Sequence, residues 1–178
     1  MIRSTRLSFL FIIILHFFAG KFFSQNVFDA ARKGDTLAVL ALMKINPDTI
    51  QKTDKNGFSP LILACYHGQT LMAGFLIRHH SKIDFVSPEG TALMAVVYKN
   101  ELALAEKLLL LKANPDLSND LGTTALMLAV SGNQKNMVEL LLKYHCNKNM
   151  KDHEGRTALQ ISRATKNQEI IDLLEKAQ

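Results

Sequence analysis

The pattern of apolar and polar positions along the chain repeats at an interval of 32 or 33 residues. Each repeat opens on a glycine and then places a hydroxyl residue two positions before a leucine, as in "NGFSPLILACYHG" and "EGRTALQISRATKN". The anchoring leucines are Leu61, Leu93, Leu126 and Leu159, and the opening glycines are Gly57, Gly90, Gly122 and Gly155. One shared register at this period indicates an array of small units rather than a single ordinary domain.

Each repeat is predicted to form two short helices. The first helix is capped by a hydroxyl that can accept an early backbone N–H, from Ser59, Thr91, Thr124 or Thr157. Pro60 stands at a first helical position, where its missing N–H costs nothing. The turn to the second helix falls on residues that tolerate a left-handed backbone, namely Gly68, Asn100, Asn133 and Asn167. The segment from Asn26 to Asp48 fits the same scheme with Gly34 as its turn, and is predicted to be a terminal unit.

The G-x-T-x-L opening, the Ala64 and Ala129 positions, the turn residues, the leucine runs and the "ANPD" connection together resemble the ankyrin repeat family. The resemblance implies an all-α fold, an ankyrin-repeat solenoid of about five stacked helix–turn–helix units with short hairpin loops. Such units bury their apolar stripe only against neighbours, so the core is expected to be continuous. The predicted domain spans residues 25–178, with units at about 26–53, 54–86, 87–118, 119–151 and 152–178.

Two departures from the family pattern stand out. The position that usually holds histidine is occupied by Ile62, Met94, Met127 and Gln160, which predicts more apolar packing there. The third unit is one residue short before Thr91, so its hairpin loop is expected to be distorted.

The first 24 residues differ from the rest of the chain. A basic start with Arg3 and Arg6 precedes an apolar run from Leu7 to Gly20, and "KFFSQ" then leads into the first unit. This is the pattern of a secretory signal peptide, cleaved after Ser24 or, as a second choice, after Ala19. The run is shorter than the roughly 20 residues of a spanning helix. An uncleaved anchor and a buried helix are the alternatives. The expected location is therefore periplasmic or secreted.

Charge argues against a nucleic-acid partner. The net charge is +5, but without residues 1–24 the basic count falls from 21 to 18 against 16 acidic residues, which leaves +2. A nucleic-acid surface needs a clustered basic face, and these charges are scattered. We expect no nucleic-acid binding, and membrane association only if the N-terminal segment is retained.

The chain offers little catalytic or metal chemistry. The helix packing distance places Cys65 and Cys146 roughly 20 Å apart, whereas a disulfide needs Cα atoms within about 7 Å. No disulfide is expected, with Cys65 in the core and Cys146 partly exposed. We reject a zinc site because the candidate ligands cannot converge on one metal ion. These candidates are His79, His80, His145, Cys146 and His153. No phosphate loop, nucleophile elbow or carboxylate pair is found, so we expect neither enzyme activity nor a cofactor.

The expected function is protein binding, because stacked units align equivalent exposed residues along one concave surface. By resemblance to the family, the partner-contacting positions are Lys55, Asn56, Phe58, Tyr66, His67, Ser87, Tyr98, Lys99, Asp120, Leu121, Thr123, His153 and Arg156. Tyr66 and Tyr98 are 32 residues apart, so they are expected to be neighbours. Aromatic anchors of this kind concentrate at the energetic centre of interfaces.

Two functional classes stay open at this point. The first is an exported, monomeric binding module that acts as scaffold, inhibitor or protector of an unknown protein partner. The second is a membrane-tethered scaffold that keeps its N-terminal helix. An enzyme is the third and least favoured class, which would need a deep pocket with perturbed acids.

Overall fold

The computed structural model describes residues 26–176, which form ten α-helices, one 3-10 helix and no β-strand. The helices follow one another as five pairs. Their bounds are α1 Val27–Lys33 and α2 Thr36–Ile45, α3 Pro60–Tyr66 and α4 Thr70–Arg78, α5 Ala92–Tyr98 and α6 Leu102–Leu110, α7 Ala125–Ser131 and α8 Lys135–Lys143, and α9 Ala158–Thr165 and α10 Gln168–Lys176. The 3-10 helix, Pro47–Gln51, follows α2. The predicted signal segment, residues 1–24, lies outside the described residues.

The pairs stack in chain order. The inner helices α1, α3, α5, α7 and α9 pack against one another as a row, and each outer helix packs on the inner helix of its own pair. One apolar core runs through all five units, from Val27 at one end to Leu174 at the other. The continuous core expected from the sequence is therefore present, and the predicted all-helical solenoid is confirmed.

The predicted N-caps are present in every unit that has one. The hydroxyls of Ser59 and Thr91 each accept a hydrogen bond from the third helical N–H at 3.2 Å. Those of Thr124 and Thr157 do the same at 3.4 Å. In the last unit the Gln160 side chain also accepts the backbone N–H of Thr157 at 2.8 Å, which completes a capping box.

The turn between the two helices uses a left-handed residue in each unit, with one correction to the prediction. Gly68, Asn100 and Asn133 have φ between 55° and 67° as expected. In the fifth unit Lys166 takes this conformation, with φ of 56°, and not Asn167. Asn167 instead accepts the Ile170 N–H on its side-chain oxygen at 3.2 Å, so it caps α10.

The connections after the outer helices tie neighbouring units together. The Asp84 carboxylate accepts the backbone N–H of Asn114 at 2.9 Å, and Asp116 accepts that of Asn147 at 2.7 Å. Each bond joins one unit to the next, so the stack is held by hydrogen bonds as well as by its core. Of the helices between residues 26 and 176, none combines the length and apolar character that crossing a membrane requires.

Candidate functional site

A groove of about 630 Å³ lies across the second and third units, on the side of the inner helices and hairpins. Its apolar floor comes from the position that usually holds histidine in the family, here Ile62 and Met94, and from Leu128. Phe58, Tyr66 and Tyr98 also line it. We call this side of the array the groove face. The departure noted in the sequence therefore makes this floor apolar.

Two tyrosines stack at the rim of the groove. The rings of Tyr66 and Tyr98 are nearly parallel, at 15°, with centroids 5.9 Å apart. Both remain exposed, at 42% and 64%. The Nζ of Lys99 lies 5.3 Å from the centroid of the Tyr66 ring, and the His67 ring meets the same ring edge-on at 5.4 Å. The predicted neighbourhood of the two tyrosines is confirmed.

Three of the four hairpin loops share one hydrogen-bond scheme. An Asp or Asn at the start of the loop accepts two backbone N–H groups, two and four residues further on, through one side-chain oxygen. Asp54 accepts those of Asn56 and Phe58, both at 3.0 Å. Asn119 and Asp152 bond in the same way in the fourth and fifth units. These hydrogen bonds fix the conformation of the three loops and so position the residues at their tips.

The hairpin of the third unit differs, as its missing residue predicted. Ser87 takes the place of the Asp or Asn, and its backbone bonds Gly90 in both directions at 2.9 and 3.0 Å. The Ser87 hydroxyl donates to the Gly90 carbonyl at 2.8 Å. Ser87 was predicted to be an exposed partner contact, and the prediction of exposure is wrong because its side chain is buried. The tighter turn draws its side chain inward, where it is buried and already bonded.

The short hairpin also interrupts a row of bonds between loop tips. The Asp120 N–H donates to the Pro88 carbonyl at 3.1 Å, and the His153 N–H donates to the Leu121 carbonyl at 3.0 Å. Pro88 has no backbone N–H, so it cannot donate the corresponding hydrogen bond to the hairpin of the second unit. Within residues 26–176, no backbone–backbone hydrogen bond joins the hairpins of the second and third units. The groove lies at this junction.

The loop of the fifth unit carries an ion-pair cluster of one arginine and two carboxylates. The Arg156 backbone N–H, and then its guanidinium at 2.8 Å, lower the pKa of the Asp152 carboxyl below its ordinary value. The side-chain hydrogen bond to Asp152 in turn raises the pKa of the Arg156 guanidinium. Arg156 also pairs with Glu154 at 2.9 Å. The guanidinium is therefore held beside the loop by two carboxylates.

The remaining predicted residues fall into two groups. Asn56 and His67 are exposed and line the groove together with the half-buried Phe58, whereas the exposed Lys55 and Lys99 are next to them in sequence and do not line it. The predicted residues of the fourth and fifth units lie at hairpin tips beyond the groove. Of these, all but the half-buried Thr123 are exposed: Asp120, Leu121, His153 and Arg156.

Sequence reasoning missed some of the groove. Arg32 of the first unit lines it, and its guanidinium bonds the Asp54 carboxylate at 2.8 Å. This contact crosses 22 residues of sequence, and no local pattern signals it. Ile62 and Met94 were assigned only to packing, although their apolar side chains in a normally polar position were the available signal.

Both cysteines are free and buried. The prediction is confirmed for Cys65 and wrong for Cys146, which is shielded because it follows α8 into the core. Burial raises the pKa of the Cys65 thiol to about 12. Burial and then the Asp116 carboxylate raise the pKa of Cys146 to about 12. Within residues 26–176, no group of three or more His, Cys, Asp or Glu side chains is placed to hold a metal ion.

We expect both thiols to be unreactive in the folded chain. The thiolate is the nucleophile that attacks a thiol reagent, and a pKa near 12 leaves almost no thiolate at about pH 8. Labelling with a charged reagent should therefore give no adduct in buffer and two adducts in denaturant, counted by mass spectrometry. Rapid modification of Cys146 in buffer would contradict its burial.

Comparison with known families agrees with the geometry. A model described as ankyrin repeats (3 copies) matches residues 27–114 and 93–178, which together span nearly all of the described chain. The chain belongs to the ankyrin repeat family. It is thereby a protein–protein interaction module, of a class that is generally non-catalytic. A search of the curated proteins finds no match.

Proposed function

We propose that this protein binds a protein partner on its groove face, with the stacked Tyr66 and Tyr98 pair at the centre of the interface. The single observation that carries the proposal is this exposed aromatic pair above an apolar groove. Two rigid rings offer a large contact area at small entropic cost. Central aromatics seated beside a pocket are where interfaces concentrate their binding free energy.

The surroundings of the pair support a partner segment that brings an apolar side chain into the groove. Ile62, Met94 and Leu128 supply an apolar floor to the groove. Removing this floor from water against an apolar side chain of the partner is favourable. The exposed Asn56 and His67 line the groove, and Lys99 lies over the Tyr66 ring, so polar groups border the apolar floor. An apolar centre inside a polar rim is the usual anatomy of a protein interface. The action on the partner is that of a scaffold, inhibitor or protector.

A photo-crosslinking experiment tests this assignment. A photoreactive residue replaces Lys99 at the groove rim or, as a control, Glu139 on the outer helix α8, and both positions are exposed. Irradiation in the native compartment should give one covalent adduct of defined mass from position 99 and none from position 139. Equal adducts from both positions, or adducts from position 139 alone, would reject the groove face as the binding surface.

We also propose that the chain is exported and acts as a monomer in the periplasm or outside the cell. The support is the sequence of residues 1–24, with its basic start and apolar run. A membrane-tethered scaffold is the alternative if this segment is retained.

We expect the exported chain to be shortened at its N-terminus. Cleavage after Ser24 leaves Gln25 as the first residue, and cleavage after Ala19 leaves Gly20. Intact mass measurement of the chain from fractionated cells distinguishes these products from the full chain. Full-length chain with Met1 intact in the cytoplasmic fraction would overturn the export proposal.

A further inference from the structure

The exposed side of the outer helices changes character along the array. We number each outer helix from its first residue, so that Thr36, Thr70, Leu102, Lys135 and Gln168 are position 1. At 100° per residue, positions 1, 2, 5 and 9 fall within an arc of about 100° and so share one face. The residues at these positions can be compared directly between units.

In the first two units this face is apolar and basic. Position 2 holds Leu37 and Leu71, which are 73% and 84% exposed. Position 5 holds the partly exposed Leu40 in α2 and the buried Gly74 in α4, so the exposed part of the face in α4 comes from its other positions. Position 9 holds Lys44 and Arg78, both exposed. We call positions 1, 2, 5 and 9 of α2 and α4 the leucine–base face.

The same positions in the last two units are polar throughout. Position 2 holds Asn136 and Glu169, and position 5 holds Glu139 and Asp172. The third unit is intermediate, with exposed Leu102 and Leu110 beside Glu106. Terminal units of a repeat array ordinarily carry a polar outer surface for solubility. The first unit departs from this rule, and the fifth unit follows it.

The charge of the leucine–base face is of one sign. Segments 36–45 and 70–82 contain no Asp or Glu, and their basic residues include Lys44, Arg78 and Lys82. Within the described residues, neither Lys44 nor Arg78 takes part in an ion pair, whereas Lys135 and Lys143 are paired with Glu169 and Glu106. The face therefore offers uncompensated positive charge next to exposed leucines.

We infer that the leucine–base face docks on the surface of a bilayer that contains anionic phospholipid. Exposed leucines beside Lys and Arg are the side chains with which a protein surface enters the interface of an anionic membrane. The leucines enter the boundary between headgroups and acyl chains, and the bases meet the lipid phosphates. The leucine–base face lies on outer helices, whereas the groove face is formed by inner helices and hairpins, so the groove face stays free for the protein partner.

A local probe tests the contact directly, on the chain as recovered from the cell. An environment-sensitive fluorophore is attached to a cysteine introduced as Leu71→Cys or, at the matching position 2 of α8, Asn136→Cys. The native thiols do not interfere because they are buried. Vesicles of phosphatidylglycerol should shift the emission at position 71 to the blue and leave position 136 unchanged, while phosphatidylcholine vesicles should shift neither. Equal shifts at both positions, or none at position 71, would overturn the inference.

A matched charge comparison gives the second measurement. Lys44→Gln with Arg78→Gln removes two bases at position 9 of the leucine–base face. Lys143→Gln with Lys176→Gln removes two at the same position in the last two units. Near an anionic membrane each basic residue contributes about 1 kcal/mol to binding. We therefore expect the first pair to weaken the affinity for phosphatidylglycerol vesicles roughly thirty-fold, as followed by the emission of the probe at position 71. The second pair should change it little, and equal losses would contradict the assignment.

Self-association is the competing use of this face. Leu37→Gln with Leu71→Gln, which carries no fluorophore, should abolish co-sedimentation with phosphatidylglycerol vesicles while the sedimentation coefficient of the chain alone stays that of a monomer. If this pair instead converts a dimer to a monomer, and the native chain does not co-sediment with the vesicles, then a second copy covers the face and the lipid inference fails. Helical circular dichroism verifies that each variant is folded.

Discussion

Replacing Leu141 with alanine is expected to lower the free energy of unfolding by about 2–5 kcal/mol, the usual cost of truncating a buried leucine. Leu141 is fully buried in α8 of the fourth unit, with units on both sides. The cavity cannot collapse easily because stacked neighbours hold its walls in place. Denaturant unfolding followed by circular dichroism measures the change.

The matched control for this variant is Leu71→Ala. Leu71 lies in the equivalent outer helix of the second unit, but its side chain is exposed. We expect a change within about 0.5 kcal/mol, as for most surface substitutions. An unfolding midpoint for Leu141→Ala within experimental error of the native chain would mean that the core does not run through α8.

The double change Tyr66→Ala with Tyr98→Ala is expected to abolish capture of the protein partner. Truncating one central interface aromatic typically costs about 2 kcal/mol or more, which is about thirty-fold in affinity. The two rings stack on each other, so losing both removes the whole platform. Stability should fall much less, because both rings are exposed and a stacked pair contributes about 0.5–1.5 kcal/mol beyond burial. Titration of the identified partner by calorimetry measures the affinity.

Two comparisons sharpen this result. Tyr66→Phe with Tyr98→Phe keeps the rings and removes the hydroxyls, so retained binding would assign the contact to the ring faces. Lys135→Ala and Glu139→Ala on the outer helix α8 should leave binding unchanged. Normal binding by the alanine double variant, together with loss in either α8 variant, would place the partner on the opposite side of the array.

Much of the fold could be read from the sequence because its determinants are local. A capping hydroxyl such as Thr124, a leucine such as Leu126 and a turn residue such as Asn133 each act within a few residues of chain. Their shared period then implies the stack, and the stack implies that Tyr66 and Tyr98 meet. Where two local rules compete, the pattern was less informative. Asn167 can serve as a left-handed turn or as an N-cap, and it serves as the N-cap of α10.

The groove was less predictable because it depends on contacts between units. The missing residue before Thr91 indicated an altered loop, but not that Ser87 would turn inward onto Gly90. The Arg32 contact with Asp54 joins two units across an interval without a motif. Cys146 follows α8 at a position that sequence placed near solvent, and only the stacked neighbours bury it.

Hydrogen exchange of the chain with and without its identified partner tests the central claim most directly, that the partner binds the groove face. Binding should slow exchange in the hairpins at 54–58 and 87–90 and in the inner helices α3 and α5. Exchange in the outer helices α8 and α10 should remain as in the free chain. Protection confined to α8 and α10, with the hairpins and inner helices unchanged, would contradict the account.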